Sequence, residues 1–338
     1  MKKANFAHKY VPDMKKSVVL AILSLFWAVF VSAQSPSLSS SNPTNFEVGI
    51  TAGTTGIGVQ LGSPVYNNFR ARLSASYMPH FEQSMYFDIQ VGDKAESKYD
   101  AQGNRVETKF DRLSSRLEQI TGYHVDDQVE MIGKPTYYNV GLMVDYFPLA
   151  KKNWYLSVGL FYGNRIIAEA VNSLNDAPSL VGVNLYNNIY TKIQEGEPIY
   201  NKVYLPLEQE EKILSYGRMG IHVGDYTPSN QTESEVIKPY LMEPDANCTV
   251  SAVITVNRWK PYLGFGYTGR LLKGNDRYHI GFDCGAMFWG GTPSIVTHDG
   301  TNLSKDVYNI RGKVGDYITL IKSFKVMPVV NLTLTRMF

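Results

Sequence analysis

Apolar and polar side chains alternate with period two along much of this chain. In Phe69–Tyr77 every odd position is apolar and every even position polar: Phe69, Ala71, Leu73, Ala75 and Tyr77 against Arg70, Arg72, Ser74 and Ser76. Nine residues of strict alternation match the template of a half-buried strand. The stretch 136–147 repeats it, with Tyr138, Val140, Leu142, Val144 and Tyr146 on one face and Asn139, Gly141, Met143 and Asp145 on the other. Trp154, Leu156, Val158, Leu160 and Tyr162 form a third such face, and 261–269 and 278–289 follow suit. The apolar faces carry large residues with aromatics at their ends, while the opposite faces are small or polar. Strands of this length bracketed by aromatics suit a membrane barrel with lipid outside and a narrow polar lumen.

Seven strands are predicted, at about 54–62, 67–78, 136–147, 154–167, 252–272, 277–291 and 324–338, and 46–52 supplies an eighth. The connections alternate in length. Tight turns fall at 63–67, 148–153 and 273–276, and long loops at about 80–127, 167–246 and 293–320. Short periplasmic turns opposite long extracellular loops are the rhythm of outer-membrane barrels, and a compact soluble domain rarely has two such long connections. The expected fold is therefore all-β: an antiparallel transmembrane up-and-down β-barrel of eight strands, with ten as the alternative if the long loops contribute strands. Within those loops, Phe110, Leu113, Leu117 and Ile120 before Gly122 predict an amphipathic helix, and the acidic stretch Leu207–Tyr216 a second.

The N-terminus adds an address. Met14-Lys15-Lys16-Ser17 precedes a mainly apolar run of 14 residues, Val18 to Val31, and then Ser32-Ala33. That order reads as a secretory signal peptide over 1–33, with Met14 as a second candidate start and cleavage before Gln34. The run is shorter than the ~20 residues a helical span needs. Residues 34–45, rich in Ser, Pro and Asn, form a leader, and 46–338 the barrel. A composition of 23 Tyr and 28 Gly fits a barrel with aromatic girdles but also a soluble sandwich, and a net charge of +2 makes no case for nucleic acid. If a turn near 273–276 joins two strands, Cys284 faces Phe265 and lies far out of register with Cys248, so no disulfide is expected.

With polar faces inward, the lumen receives Arg70, Arg72, Asp145, His279, Asp283 and Asn331, with Glu47 as a further candidate. An eight-stranded barrel is only wide enough for its own side chains, and isolated charges there are strongly penalised. A salt-bridged lumen without an open channel follows. At the C-terminus Val330, Leu332 and Leu334 share a face and Phe338 ends the chain. This resembles the signal that outer-membrane barrels present to their assembly machinery, although Arg336 occupies the place usually held by an aromatic.

Further segments, taken in order, resemble one family. Gly56-Ile57-Gly58-Val59-Gln60-Leu61-Gly62, Phe69–Tyr77, Asp145-Tyr146-Phe147-Pro148, Pro261-Tyr262-Leu263-Gly264-Phe265-Gly266, Phe282-Asp283-Cys284-Gly285-Ala286-Met287-Phe288 and Pro328-Val329-Val330 are similar to strands of small bacterial outer-membrane barrels related to the barrel domain of outer membrane protein A. The resemblance covers about a third of the mature chain and implies an outer-membrane location. It does not reach 80–135 or 168–245.

Catalytic chemistry finds little support. His279 and Asp283 share a face but stand about 13 Å apart at ~3.3 Å per strand residue. His80, His124, His222 and His298 lack metal-ligand spacing. Gly53-Thr54-Thr55-Gly56-Ile57-Gly58 imitates a phosphate loop without the helix that completes one. No cofactor and no enzymatic activity are expected. The expected partners are outer-membrane lipid, the barrel-assembly machinery and an unidentified surface ligand. An anchor displaying binding loops is the leading reading, a porin-like channel the second and a lipid-modifying enzyme the third.

Overall fold

The computed structural model describes residues 46–66, 68–93, 96–148, 153–226, 239–272, 275–310, 312–323 and 325–338. The signal segment 1–33 and the leader 34–45 lie outside them. Along the chain run β1 (Glu47–Gly53), β2 (Gly56–Tyr66), β3 (Phe69–Tyr77), β4 (Gln83–Val91), α1 (Lys109–Thr121), β5 (Gln128–Pro135), β6 (Tyr138–Tyr146), β7 (Trp154–Gly163) and β8 (Ile166–Asn172). Next come α2 (Ala177–Glu195), α3 (Leu207–Tyr216), β9 (Met219–Tyr226), β10 (Pro239–Met242), β11 (Ser251–Thr255), β12 (Trp259–Leu272) and β13 (Asn275–Phe288). The last are β14 (Ser294–Thr297), β15 (Val307–Tyr308), α4 (Gly312–Ser323) and β16 (Val326–Met337).

Eight strands close an antiparallel barrel in the order β1-β16-β13-β12-β7-β6-β3-β2. This is the expected strand number, with β1 as the eighth. Gly56, at φ +93°, makes the tight β1–β2 turn, where a Cβ would strike the Tyr77 carbonyl. Ile50, Val59, Leu142, Leu156, Val158, Leu263 and Leu332 all stand exposed on the outside. A continuous exposed apolar face would be a liability in water and suits hydrocarbon. Aromatics edge it: Phe69 with Tyr146 at the end carrying the short turns, and Tyr162 with Trp259 at the opposite, loop end.

The three long loops are not loops. They build a second sheet, β10-β9-β4-β5-β8-β11-β14 with β15 beside β9, directly above the loop end. Two predicted strands also prove too long. The stretch 154–167 breaks at Asn164-Arg165, and 252–272 breaks between β11 and β12. The breaks are neighbours: the Val256 N–H donates to the Arg165 carbonyl at 2.8 Å, and the Gly163 N–H to that of Arg258 at 3.0 Å. Asn164 replaces ladder bonds with its side chain, accepting from the Tyr138 N–H at 3.1 Å and donating to the Thr136 and Ile166 carbonyls. Alternation persists across such a kink, so sequence pattern alone reads it as one strand.

The second sheet curls around its own core. Ile89, Val91, Val129, Met131, Met219 and Ile221 face inward and meet Phe110, Leu113 and Leu117 of α1 and Leu180, Val183 and Tyr186 of α2. Helix α1 begins at Thr108 with a reciprocal capping box to Asp111 and stops at Gly122 in the left-handed region. Ile120, expected on its buried face, is 70% exposed. The sheet's two ends are stitched by side chains, the Tyr240 hydroxyl lying 2.8 Å from the Thr297 hydroxyl and donating to Asp299 at 2.9 Å.

Candidate functional site

Alternation within β3, β6 and β13 sends Arg70, Arg72, Asp145 and Asp283 into the barrel. Register places Arg70 beside Asp145 directly. Arg70 Nε donates to Asp145 Oδ2 at 2.8 Å, and its Nη1 to Glu47 Oε1 at 3.1 Å. Arg72 Nη2 donates to Asp145 Oδ1 at 2.9 Å, Ser157 Oγ at 2.9 Å and Asp283 Oδ1 at 2.8 Å. Arg72 Nε sits 2.6 Å from Asp145 Oδ2, an ion-pair distance too bent for a hydrogen bond. The Tyr155 hydroxyl donates to Asp283 at 2.9 Å, and its ring lies under both guanidiniums. Two guanidiniums thus face three carboxylates, all of them buried, and together with Tyr155 they cross the lumen near its turn end.

Toward the loop end the filling turns apolar. Tyr137, Met143, Phe161, Tyr262, Met287 and Val329 form one buried cluster inside the barrel. Gly141 and Gly159 make room for it: a Cβ on Gly141 would lie 2.3 Å from the Phe161 ring, and one on Gly159 2.6 Å from Met143. Above the cluster Lys260, fully buried, donates to Asn139 Oδ1 at 3.0 Å and stands over the Tyr137 ring.

Two residues expected in the ionic network stand apart from it. Asn331 accepts from the Thr55 hydroxyl at 2.9 Å near the β1–β2 turn. His279 pairs in register with Arg270 and Thr335 at the opposite end, and its Nδ1 has no hydrogen-bond partner among the described residues. Facing the same side of a strand is not the same as meeting, because the barrel is tall enough to hold separate layers. Glu47 does join. Sequence reasoning missed Tyr155, Gln60, Ser157 and Lys260. Alternation carries a signal for all four, since each lies in phase with the inward face of its strand, but not for which charges pair.

At the C-terminus, Val330, Leu332 and Leu334 are exposed on the barrel's outer face. Phe338 stacks on Phe46 with centroids 4.9 Å apart. Arg336 lies over the Phe338 ring at 4.7 Å and the Tyr278 ring at 5.9 Å, which gives its charge a partner at the membrane rim. Both cysteines are free, and Cys284 faces Phe265 in register.

The cap above the barrel has its own site. Where the second sheet meets the loop end, a cavity of about 270 Å³ opens between β4, β5, β8 and β11 and helix α4. Gly133, Ala170 and Ala252 form one lateral row across its floor, and Ile318 and Ile321 of α4 cover it. At the junction of β10 and β14, the Asp299 carboxyl would be raised by burial. The Thr297 and Tyr240 hydroxyls and the Thr301 N–H donate to it and hold it below the ordinary carboxylate range. Among the described residues no group of His, Cys, Asp and Glu is arranged to hold a metal ion.

No protein-family model matches the chain, and no curated protein matches it. Three solved structures are similar in outline. CarO2 of Acinetobacter baumannii shares 12% identity over 88% of this chain and 100% of that one, with a TM-score of 0.37. CarO of the same organism shares 12% identity over 88% of this chain and 98% of that one, with a TM-score of 0.36. A major outer membrane protein from Thermus thermophilus shares 12% over 87% and 98%, with a TM-score of 0.29. Likeness this distant says nothing of what the chain binds.

Proposed function

We propose that this protein is an outer-membrane barrel with a closed lumen, serving as an anchor that presents a folded extracellular cap for binding. The filled lumen is the observation that carries the reading. A channel needs a continuous polar path. Here the Arg70–Arg72–Asp145–Asp283 layer and the Phe161–Tyr262–Met287 layer occupy the bore in succession. An interior only wide enough for side chains, filled in this way, leaves water little passage. The apolar belt with its aromatic edges supports insertion in a bilayer. The C-terminal face ending at Phe338 fits delivery by the assembly machinery, and kinship with the barrel domain of outer membrane protein A belongs to the same reading. Investment of the longest segments in a cored, helix-packed cap favours display over passive passage. A lipid-modifying reading lacks a site, since His279 and Asp283 lie in different layers.

Purified protein in planar bilayers is expected to give no large, stable conductance. A peptide tag in the exposed turn at 101–103 should be labelled by antibody on intact cells. Large ohmic steps, or labelling only after the outer membrane is broken, would overturn the proposal.

A further inference from the structure

Resting on the display reading, we infer that the cap cavity is a binding site for a single hydrocarbon chain, the acyl tail of an amphiphile at the outer-leaflet surface. The cavity is built from the sheet outward. In its floor row Gly133 pairs with Ala170 and Ala170 with Ala252, so three central strands contribute the smallest side chains at one level. Along β5 and β11 the next inward residues, Met131 and Ile254, are large, while on β8 Ala168 extends the small surface. The space is therefore set by residue choice at a few positions, with no misfit of helix against sheet. Backbone geometry does not demand the glycine. A Cβ on Gly133 would meet Met85 Cε and the Gln83 carbonyl at an ordinary 3.5 Å, and its φ is not positive. Protein interiors hold few voids larger than a water molecule, and this one is well above the ~150 Å³ at which a dry apolar cavity already takes benzene.

Chemistry narrows the ligand. The charged residues among the walls, Lys134 and Glu169, face each other in register between the inward positions and so point to the sheet's outer side. Lys134 Nζ is held there by Glu82 Oε1 at 2.9 Å. Among the described residues no charge is aimed into the cavity to meet an ionised ligand group, and burying one unpaired is strongly penalised. The inserted part must be apolar, and any head group must stay outside. The mouth lies where it could. Phe81 and Gln83 at the rim are exposed and follow closely on Tyr77, the exposed aromatic that ends β3 at the loop end. Tyr317 of α4, also half-exposed, stands at the same opening. A chain entering here leaves its head at the level of the lipid head groups. A free fatty acid and a membrane lipid both supply such a chain.

The test uses the full protein in phosphatidylcholine nanodiscs, with empty nanodiscs subtracted. Binding of cis-parinaric acid is followed by its fluorescence and displaced by saturated fatty acids of six to sixteen carbons. Affinity should rise roughly fourfold per carbon until the chain fills the cavity and then level off. Gly133→Val with Ala170→Leu, which places six added carbons on the floor of the cavity, should weaken binding at least 100-fold. Ile254→Ala, which enlarges it, should move the plateau two to three carbons longer. A second arm replaces the free acid with a parinaroyl-phosphatidylcholine in the disc, and the arm that gives a signal sensitive to the filling variant identifies the source of the chain. Equal binding by the filled and enlarged variants, or no dependence on chain length, overturns the inference. If the parent protein binds nothing while remaining non-conducting and surface-labelled, the acyl-chain site falls and the display reading stands. If the protein conducts, the display reading falls on its own evidence.

Discussion

Arg72 joins two carboxylates in the ionic layer of the barrel. It is 2% exposed, and its guanidinium contacts both Asp145 and Asp283, with Gln60 as a weaker acceptor at 3.4 Å. Arg72→Met keeps most of the apolar stem, so loss of packing is small. What changes is the charge. Asp145 keeps Arg70 and the Ser157 hydroxyl, and Asp283 keeps the Tyr155 hydroxyl at 2.9 Å. Breaking a buried ion pair by deleting one partner costs about 3–5 kcal/mol, because the surviving charge stays buried. The imbalance makes the cost testable by a second substitution. Since three carboxylates already face two guanidiniums, Asp283→Asn removes the surplus acid and should cost about 1 kcal/mol. Asp145→Asn takes the acceptor shared by both arginines and should approach the lower end of the Arg72→Met range. In the double variant, Arg72→Met with Asp283→Asn, more than half of the loss should return. Urea unfolding of vesicle-inserted protein, followed by tryptophan fluorescence, measures each value. An Arg72→Met variant within about 1 kcal/mol of the parent would refute the buried-charge argument, as would a double variant no better than the single.

Other consequences fall on the cap and the terminus. Thr108→Ala removes one arm of the α1 capping box and should cost the cap about 1 kcal/mol, read as faster amide exchange across Lys109–Thr121 with barrel amides unchanged. Asp299 is held below its ordinary range in the fold, so its contribution is present above the unfolded value near ~3.9 and is lost as pH falls through the lower folded value. The stitch to Tyr240 should therefore hold at neutral pH and loosen only in stronger acid, seen as acid-dependent proteolysis near residue 299 that Asp299→Asn renders independent of pH. Phe338→Ser loses the stack on Phe46 and should lower the amount assembled in the outer membrane several-fold while leaving urea stability of the assembled fraction within about 1 kcal/mol, as surface substitutions usually do. Assembly equal to the parent's would remove Phe338 from that role.

The barrel was legible because period-two patterning is a local property, and a one-residue slip would turn every side chain to the wrong face. Phe69–Tyr77 and the C-terminal face declare themselves without reference to any partner strand. Leu207–Tyr216 was legible as well, through its helix-forming residues. The rest depends on encounters between distant segments. Helix α2 hides behind Tyr186, Asn187, Asn188 and Tyr190, which read as loop; yet Asn187 is buried, donating to the Met219 carbonyl at 2.7 Å and accepting its N–H at 2.8 Å. A polar residue whose partner is a strand edge thirty residues away looks surface-bound in sequence. The start signal was nonetheless present, with Pro178 in the first turn and Gly196 as the left-handed stop. The cavity left a fainter trace still, since Gly133, Ala170 and Ala252 become one row only once three strands are placed in register.

Both fillings follow one rule applied at two heights. Inward phase runs on from β5 into β6, so Gly133, Pro135, Tyr137, Asn139 and Met143 all face the interior in turn, first of the cap and then of the barrel. Near the turn end this phase delivers arginines and carboxylates, whose pairing locks the bore. In the middle it delivers aromatics and methionines, and above the bore it delivers glycine and alanine. The lumen is filled with large residues, and one storey higher the chain turns to the smallest, with Met131 on β5 and Ile254 on β11 beside them. A sheet that merely needed a core there could have kept the valines and isoleucines found elsewhere on the same strands, Val129 and Ile254 among them. The contrast within single strands makes the cavity a feature of the sequence, and the Gly133→Val and Ala170→Leu variants should therefore raise the stability of the cap even as they close its site, by about 1 kcal/mol for each well-accommodated methyl pair.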